Sequence, residues 1–169
     1  MAETPYIMIV DDDEEDAQML ADRFCSLNPQ MKAECFSNGQ QAFSALAGKD
    51  AEELPFALVT DYKMPYMSGP ELLSILRPDI RYNQIVKIVL SSSGTTSHIK
   101  ECLRLGAEKY FLKPSNIKQL DSIMEYLTDL LCEKDPDRHR LHWLTSSRGK
   151  YKLNRLPSPG LPSASIDPR

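Results

Sequence analysis

Aspartate residues follow two short apolar runs of this sequence at the point where each run ends. Asp11 and Asp12 come directly after the run 6–10, and Asp61 comes directly after the run 56–60. Carboxylates that lie close together repel each other unless a hard cation neutralises them, and an all-oxygen octahedral site suits Mg²⁺ or Mn²⁺. The sequence therefore predicts a divalent-cation site wherever these two run ends meet.

A hydroxyl group and a cationic side chain stand at the equivalent position of two later runs. Ser91 follows the apolar run 85–90, and Lys113 follows the run 109–112. Both groups donate hydrogen bonds to anions, and a carboxylate such as Asp61 can act as a nucleophile towards phosphorus beside a metal ion. These residue types together describe a site that accepts and holds a phosphoryl group.

The apolar runs that precede these residues have the length of β-strands. The run 6–10 is continuously apolar, which is typical of a strand covered on both faces of a parallel sheet. We expect five strands, at 6–10, 32–36, 56–60, 85–90 and 109–112.

Amphipathic segments follow each predicted strand. Ser37 or Asn38 can cap the second helix and Ser68 the third, because their side chains accept hydrogen bonds from the first helical N–H groups. The clearest helix opens at 115–116. Its predicted apolar face consists of Ile117, Leu120, Ile123 or Met124, Leu127 and Leu130.

Five successive βα units require right-handed crossovers and a parallel sheet. The predicted fold class is therefore α/β, a doubly wound five-stranded parallel sheet with helices on both faces. Ligands of such sheets bind beyond the carboxyl ends of the strands. We thus expect the polar residues at the run ends to meet at one edge of the sheet.

Composition excludes several classes of protein. Hydrophobic residues make up 41% and charged residues 26% of the 169 residues, as in an ordinary soluble globular protein. The longest apolar runs have about five or six residues, far fewer than the roughly 20 of a membrane-spanning helix. The acidic N-terminal sequence lacks the order of a secretory signal, so we expect a cytoplasmic location.

Charge divides the chain into two parts. Residues 1–136 hold 13 Lys and Arg against 22 Asp and Glu, whereas residues 137–169 hold 7 against 2. The second part is also rich in Pro and Ser, a composition that buries little apolar surface. We expect a domain at 1–136 and a basic, largely flexible tail at 137–169.

Four motifs in this order resemble the receiver domain of two-component response regulators. They are Val10-Asp11-Asp12, Asp61-Tyr62-Lys63-Met64-Pro65, Leu90-Ser91-Ser92 and Lys113-Pro114. The resemblance covers roughly residues 5–133 and implies the flavodoxin-like receiver fold. Each motif alone is common, whereas four motifs at the right strand ends are specific.

The resemblance implies a role for each carboxylate. Asp61 corresponds to the phosphoacceptor, which takes a phosphoryl group from a sensor histidine kinase or a phosphotransfer protein. Asp11 and Asp12 would hold Mg²⁺, with Mn²⁺ as an alternative, together with the Asp61 carboxylate and the backbone carbonyl of Lys63.

The resemblance also implies a conformational switch. Lys113 would pair with the phosphoryl oxygens, and the Ser91 hydroxyl would move towards them once Asp61 is modified. Tyr110 matches the aromatic position that turns inward when the Ser91 hydroxyl moves. The altered surface would be read by a downstream protein target, and a homodimer through the last two βα units is a further implied partner.

Three other functions remain as alternatives at this stage. A Mg²⁺-dependent phosphohydrolase would use an aspartyl-phosphate, but the chain has no room for a cap domain. A flavin carrier would need a phosphate loop where this chain has carboxylates. A docking module that needs no phosphorylation would leave the site unused. We predict a signalling domain that catalyses only its own phosphorylation and slow dephosphorylation, with no membrane and no nucleic acid as partner.

Overall fold

A computed structural model describes residues 5–134 of the chain. Five parallel strands form one sheet in the order β2-β1-β3-β4-β5, which confirms the predicted fold class. The strands are β1 (Tyr6–Val10), β2 (Lys32–Phe36), β3 (Ala57–Asp61), β4 (Val86–Ser91) and β5 (Lys109–Leu112). The helices are α1 (Glu14–Leu27), α2 (Gly39–Ala47), α3 (Gly69–Leu76), α4 (Thr96–Arg104) and α5 (Ile117–Lys134), and two short 3₁₀ helices lie at Ala51–Glu53 and Ile80–Gln84.

Helices cover the sheet on both faces. Helices α1 and α5 pack against one face, where Ile7 and Ile9 of β1 point. Met8 and Val10 of the same strand point to the opposite face, where α2 and α3 pack. This alternation follows from the two-residue period of a strand. The three central strands are buried along their whole length, so a continuous apolar run is the pattern that the sheet requires.

Side chains in the loops that follow the strands cap the next helices. The Asp13 carboxylate accepts hydrogen bonds from the backbone N–H groups of Glu15 and Asp16, which begins α1. Asn38, and not Ser37, caps α2. Ser68 forms a capping box with Glu71 at the start of α3. These caps set the direction of each helix relative to the strand ends.

Two strands, β3 and β4, begin and end one residue later than predicted. Asp61 and Ser91 are the last residues of β3 and β4, paired in the sheet with Leu90 and Leu112. Backbone pairing continues past the apolar run because the ladder uses only main-chain groups. The rigid sheet itself therefore holds these two side chains.

The predicted face of α5 is wrong at its first residue. Ile117 is 72% exposed, whereas Leu130 is half-buried and packs against the core as predicted, and Leu131 is buried as well. Ile117 is the first helical residue and lies outside the packed core, and Leu131 continues the helical spacing of Leu120 and Leu127.

In the described part of the chain, no helix has the length and apolarity needed to span a bilayer. The predicted tail, residues 137–169, lies outside the described residues.

Gly69 packs directly against the strand that carries Asp61. A Cβ atom at Gly69 would collide with the backbone carbonyl oxygen of Asp61. We expect Gly69→Ala to lower the free energy of unfolding by about 1–3 kcal/mol, because the backbone must shift to relieve the overlap. Chemical denaturation of the purified chain measures this change.

Gly48 provides the matched control for that substitution. No heavy atom lies within 4 Å of a Cβ built at Gly48, and its backbone φ of −89° suits alanine. Gly48→Ala should leave stability within about 1 kcal/mol of the unmodified chain or raise it slightly. Equal losses in the two variants would contradict the packing argument.

Candidate functional site

Four of the predicted site residues meet at the carboxyl edge of the sheet. Asp11 directly follows β1, and its backbone N–H donates to the carbonyl of Phe36 at 3.0 Å. Asp61 and Ser91 end the neighbouring strands β3 and β4. Lys113 directly follows β5, and its N–H donates to the Ser91 carbonyl at 2.8 Å. The parallel topology thus brings residues from four strands to one edge.

Three carboxylates form a compact cluster at this edge. Asp11, Asp12 and Asp61 each offer an oxygen, and these oxygens all lie within 4.8 Å of one another. Asp11 is 2% and Asp61 8% exposed, whereas Asp12 is open to solvent. Two carboxylates of the cluster are therefore buried and the third is exposed, so a ligand can reach the cluster from solution.

In the described part of the chain, a single ammonium group faces the buried carboxylates. The Lys113 Nζ atom lies 2.8 Å from Asp11 Oδ2 and 3.2 Å from Asp61 Oδ2. It also lies 3.0 Å from Oδ2 of Asp16, a residue that the sequence did not single out. Asp16 is the third residue of α1. The first turn of this helix also contains Glu14 and Glu15, so the sequence did not distinguish Asp16 from its acidic neighbours.

Burial and charge oppose each other in this cluster. Burial raises the pKa of Asp61, and the nearby Lys113 opposes that rise. Burial likewise raises the pKa of Asp11, against the effects of Lys113 and of the Asp13 N–H. Burial alone would lower the pKa of Lys113, but Asp11 and Asp16 outweigh it, and the net pKa is above the ordinary lysine value. The lysine is therefore a cation at neutral pH, and burial is the main reason that the pKa of both carboxyl groups is raised.

The donor set fits a hard divalent cation. Asp11 Oδ2 is buried and has no hydrogen-bond partner among the described residues, although the Lys113 ammonium lies nearby. Clustered carboxylate oxygens are the ligands that Mg²⁺ and Mn²⁺ prefer. Lys63 lies in the loop after β3 with an exposed side chain.

Ser91 and Tyr110 share one hydrogen-bond acceptor. The buried Ser91 hydroxyl donates to the Ser93 carbonyl at 2.9 Å, and the Tyr110 hydroxyl donates to the same carbonyl at 2.7 Å. The loop between β4 and α4 therefore links the two predicted switch residues. Any movement of the Ser91 hydroxyl changes the surroundings of the atom that holds Tyr110.

Sequence reasoning missed an aromatic contact beside the site. Tyr62, next to Asp61 in the chain, stacks on His98 of α4 with ring centroids 4.5 Å apart. Its hydroxyl donates to the Glu101 carboxylate at 2.9 Å, and burial together with this carboxylate raises the pKa of Tyr62 to about 12. No spacing in the sequence relates these residues, because the contact exists only once β3 and α4 are placed.

Comparisons with known proteins agree on one family. The model of the response regulator receiver domain matches residues 7–125. The two-component response regulator ORR5 of Oryza sativa subsp. japonica is 30% identical over 110 residues, which cover 65% of this chain and 78% of that protein. ORR13 of the same organism is 28% identical over 124 residues, or 73% of this chain and 98% of that protein.

Solved structures show the same fold. The Francisella response regulator 1452 receiver domain superposes with a TM-score of 0.65 at 25% identity, covering 78% of this chain and 99% of that one. The Mn²⁺-bound form of the response regulator Rcp1 superposes with a TM-score of 0.60 at 18% identity, covering 73% and 91%. The family match spans most of the described fold and includes Asp11, Asp61, Ser91 and Lys113. This chain belongs to the response regulator receiver family of two-component systems.

Proposed function

We propose that Asp61 accepts a phosphoryl group in a Mg²⁺-dependent reaction and that the modified domain signals to a downstream protein. The donor is the phosphohistidine of a sensor histidine kinase or a phosphotransfer protein. One observation carries this proposal: the Asp61 carboxylate lies at the strand ends among two further carboxylates, with the Lys113 ammonium 3.2 Å away. Membership of the receiver family supports it.

The proposed transfer forms one bond and breaks one. An oxygen of the Asp61 carboxylate attacks phosphorus, the bond between phosphorus and the donor imidazole nitrogen breaks, and that nitrogen keeps the electron pair. A Mg²⁺ ion, with Mn²⁺ as an alternative, would be held by Asp11, Asp12, Asp61 and the Lys63 backbone carbonyl. Bound there, the ion would neutralise the charge of the transferring group.

Lys113 and Ser91 act on the product. The Lys113 ammonium is already at the site and pairs with an oxygen of the new acyl phosphate. The Ser91 hydroxyl turns from the Ser93 carbonyl towards another phosphoryl oxygen. Tyr110 then changes position because both hydroxyls share that carbonyl in the unmodified protein. The bistable element is the pair Ser91 and Tyr110 with helix α4 between them.

The remaining assignments complete the proposal. Residues 1–136 form the receiver and residues 137–169 a separate basic segment. The domain works in the cytoplasm and is a phosphoacceptor rather than an enzyme that turns over added substrate. A phosphohydrolase would instead release phosphate repeatedly. Dimerisation through the last two βα units is a second way in which phosphorylation is read.

Phosphorylation of Asp61 is tested by intact mass. We expect incubation with acetyl phosphate and Mg²⁺ to add one phosphoryl group to the full chain, because a small donor reaches a half-open site. Asp61→Asn and a chelator should each abolish the adduct. Asp22→Asn, which changes an exposed aspartate of α1, should retain it. An adduct that survives in Asp61→Asn would place the acceptor elsewhere.

Cation binding is tested by thermal unfolding. A ligand of the native state stabilises it, so Mg²⁺ at about a hundredfold excess over its Kd should raise the free energy of unfolding by about 2.7 kcal/mol. Asp12→Asn should lose most of this gain, because it removes a carboxylate from the cluster without disturbing the core. If Mg²⁺ stabilised Asp12→Asn as much as the unmodified chain, Asp12 would not be a ligand of the ion.

The switch is tested by hydrogen exchange. In the unmodified chain, we expect phosphorylation to change amide exchange in residues 92–104 by about threefold or more, since the loop and α4 rearrange. Ser91→Ala should still form the adduct and lose this change. Ser92→Ala, at the neighbouring exposed serine, is the control and should behave like the unmodified chain. A normal exchange response in Ser91→Ala would disprove the role of its hydroxyl.

A further inference from the structure

Lys113 contacts a carboxylate that does not belong to the ion-binding cluster. Its Nζ atom lies 3.0 Å from Asp16 Oδ2, and this contact has hydrogen-bond geometry. The Asp61 contact is the longest of the three carboxylate contacts of Lys113, at 3.2 Å. The buried Asp11 Oδ2, only 2.8 Å from the same ammonium, has no hydrogen-bond partner in the described part of the chain. Asp16 thus takes up part of the hydrogen-bonding capacity of the lysine ammonium.

Asp16 has a fixed place in the fold. Its backbone N–H donates to the Asp13 carboxylate at 3.1 Å, in the N-terminal cap of α1. Its side chain is 39% exposed, at the rim of the site. The cap holds the Asp16 backbone, and the helix keeps its carboxylate beside the loop that follows β5. Asp16 and Lys113 are 97 residues apart in the chain.

One ammonium group is shared among three carboxylates. Lysine has three N–H donors, and a donor given to Asp16 is not available to Asp11 or Asp61. A lysine without Asp16 would settle between Asp11 and Asp61, its two remaining partners. There it would compete with a divalent cation for the same oxygens, because both neutralise the same buried charge.

We propose that Asp16 is a positioning residue that draws Lys113 towards α1 and so leaves the Asp11 and Asp61 carboxylates available to the divalent cation. This inference rests on the proposed function, because it assumes that the carboxylate cluster binds Mg²⁺. Asp16 itself is not a member of the cluster of oxygens that lie within 4.8 Å of one another. It acts only through the lysine.

Glu15 allows the effect of position to be separated from the effect of charge. It is the preceding residue in the same first turn of α1, carries the same charge and is exposed. No ion pair joins Glu15 to Lys113 within the range 5–134. Asp16→Asn and Glu15→Gln therefore remove equal charge from the same helix end, and only the first removes a partner of the lysine.

The experiment is a calorimetric titration of the full chain with MgCl₂. We expect Asp16→Asn to weaken Mg²⁺ binding by about fivefold or more, through its coupling to Lys113. Glu15→Gln should weaken it by no more than about twofold, as expected for an exposed charge. Thermal unfolding of each variant without Mg²⁺ confirms that the fold is intact.

Replacement of Lys113 by methionine tests whether Asp16 affects Mg²⁺ binding through the lysine. In chains that carry Lys113→Met, we expect Asp16→Asn and Glu15→Gln to change Mg²⁺ affinity by the same small factor. A large loss with Asp16→Asn in that background would show that Asp16 binds the ion directly and overturn the proposal. Equal losses of Mg²⁺ affinity from Asp16→Asn and Glu15→Gln in the chain that retains Lys113 would also overturn the proposal.

The two proposals fail in different ways. If the unmodified chain binds no Mg²⁺, both the proposed function and this inference are wrong. If the unmodified chain binds Mg²⁺ and Asp16→Asn binds it equally well, only the role of Asp16 is wrong.

Discussion

The repulsion among the carboxylates at the carboxyl edge of the sheet is the constraint on which the rest of the site depends. Asp11 and Asp61 are held almost completely out of water, and burial raises the pKa of both. Such groups destabilise a fold unless positive charge lies beside them. Among residues 5–134, Lys113 supplies that charge, and its ammonium lies within 3.2 Å of both carboxylates. A site with too little positive charge is ready to take up a cation.

The parallel sheet makes this arrangement possible. Strand ends that are distant in sequence meet at one edge only when all strands run in the same direction. The central strands β1, β3 and β4 are buried throughout, so the acidic residues at their ends are supported by the most rigid part of the protein. Gly69 adds to this precision, because α3 begins in van der Waals contact with the backbone of Asp61.

The same edge connects the site to helix α4 by two routes. One route runs from Ser91 through the Ser93 carbonyl to Tyr110 of β5, which packs against the cluster that contains Cys102 of α4. The other runs from Tyr62, the residue after Asp61, to His98 and Glu101 of α4. Both routes consist of packed rings or hydrogen bonds, which are the kinds of contact that the proposed switch would rearrange. Helix α4 has few buried residues of its own, so these contacts weigh heavily in its position.

The amino-acid sequence by itself determined the five strands, the order of the βα units and the residues at each strand end. Apolar runs and helix caps are local signals, and a parallel sheet then requires Asp11, Asp61, Ser91 and Lys113 to meet. Tertiary structure decided which neighbours these residues have. Asp16 reaches Lys113 across 97 residues, and Tyr62 reaches α4, through side-chain directions that no local pattern encodes. The exposed end of α5 at Ile117 has the same cause, because periodicity defines a face of a helix while only packing determines how much of that face is covered.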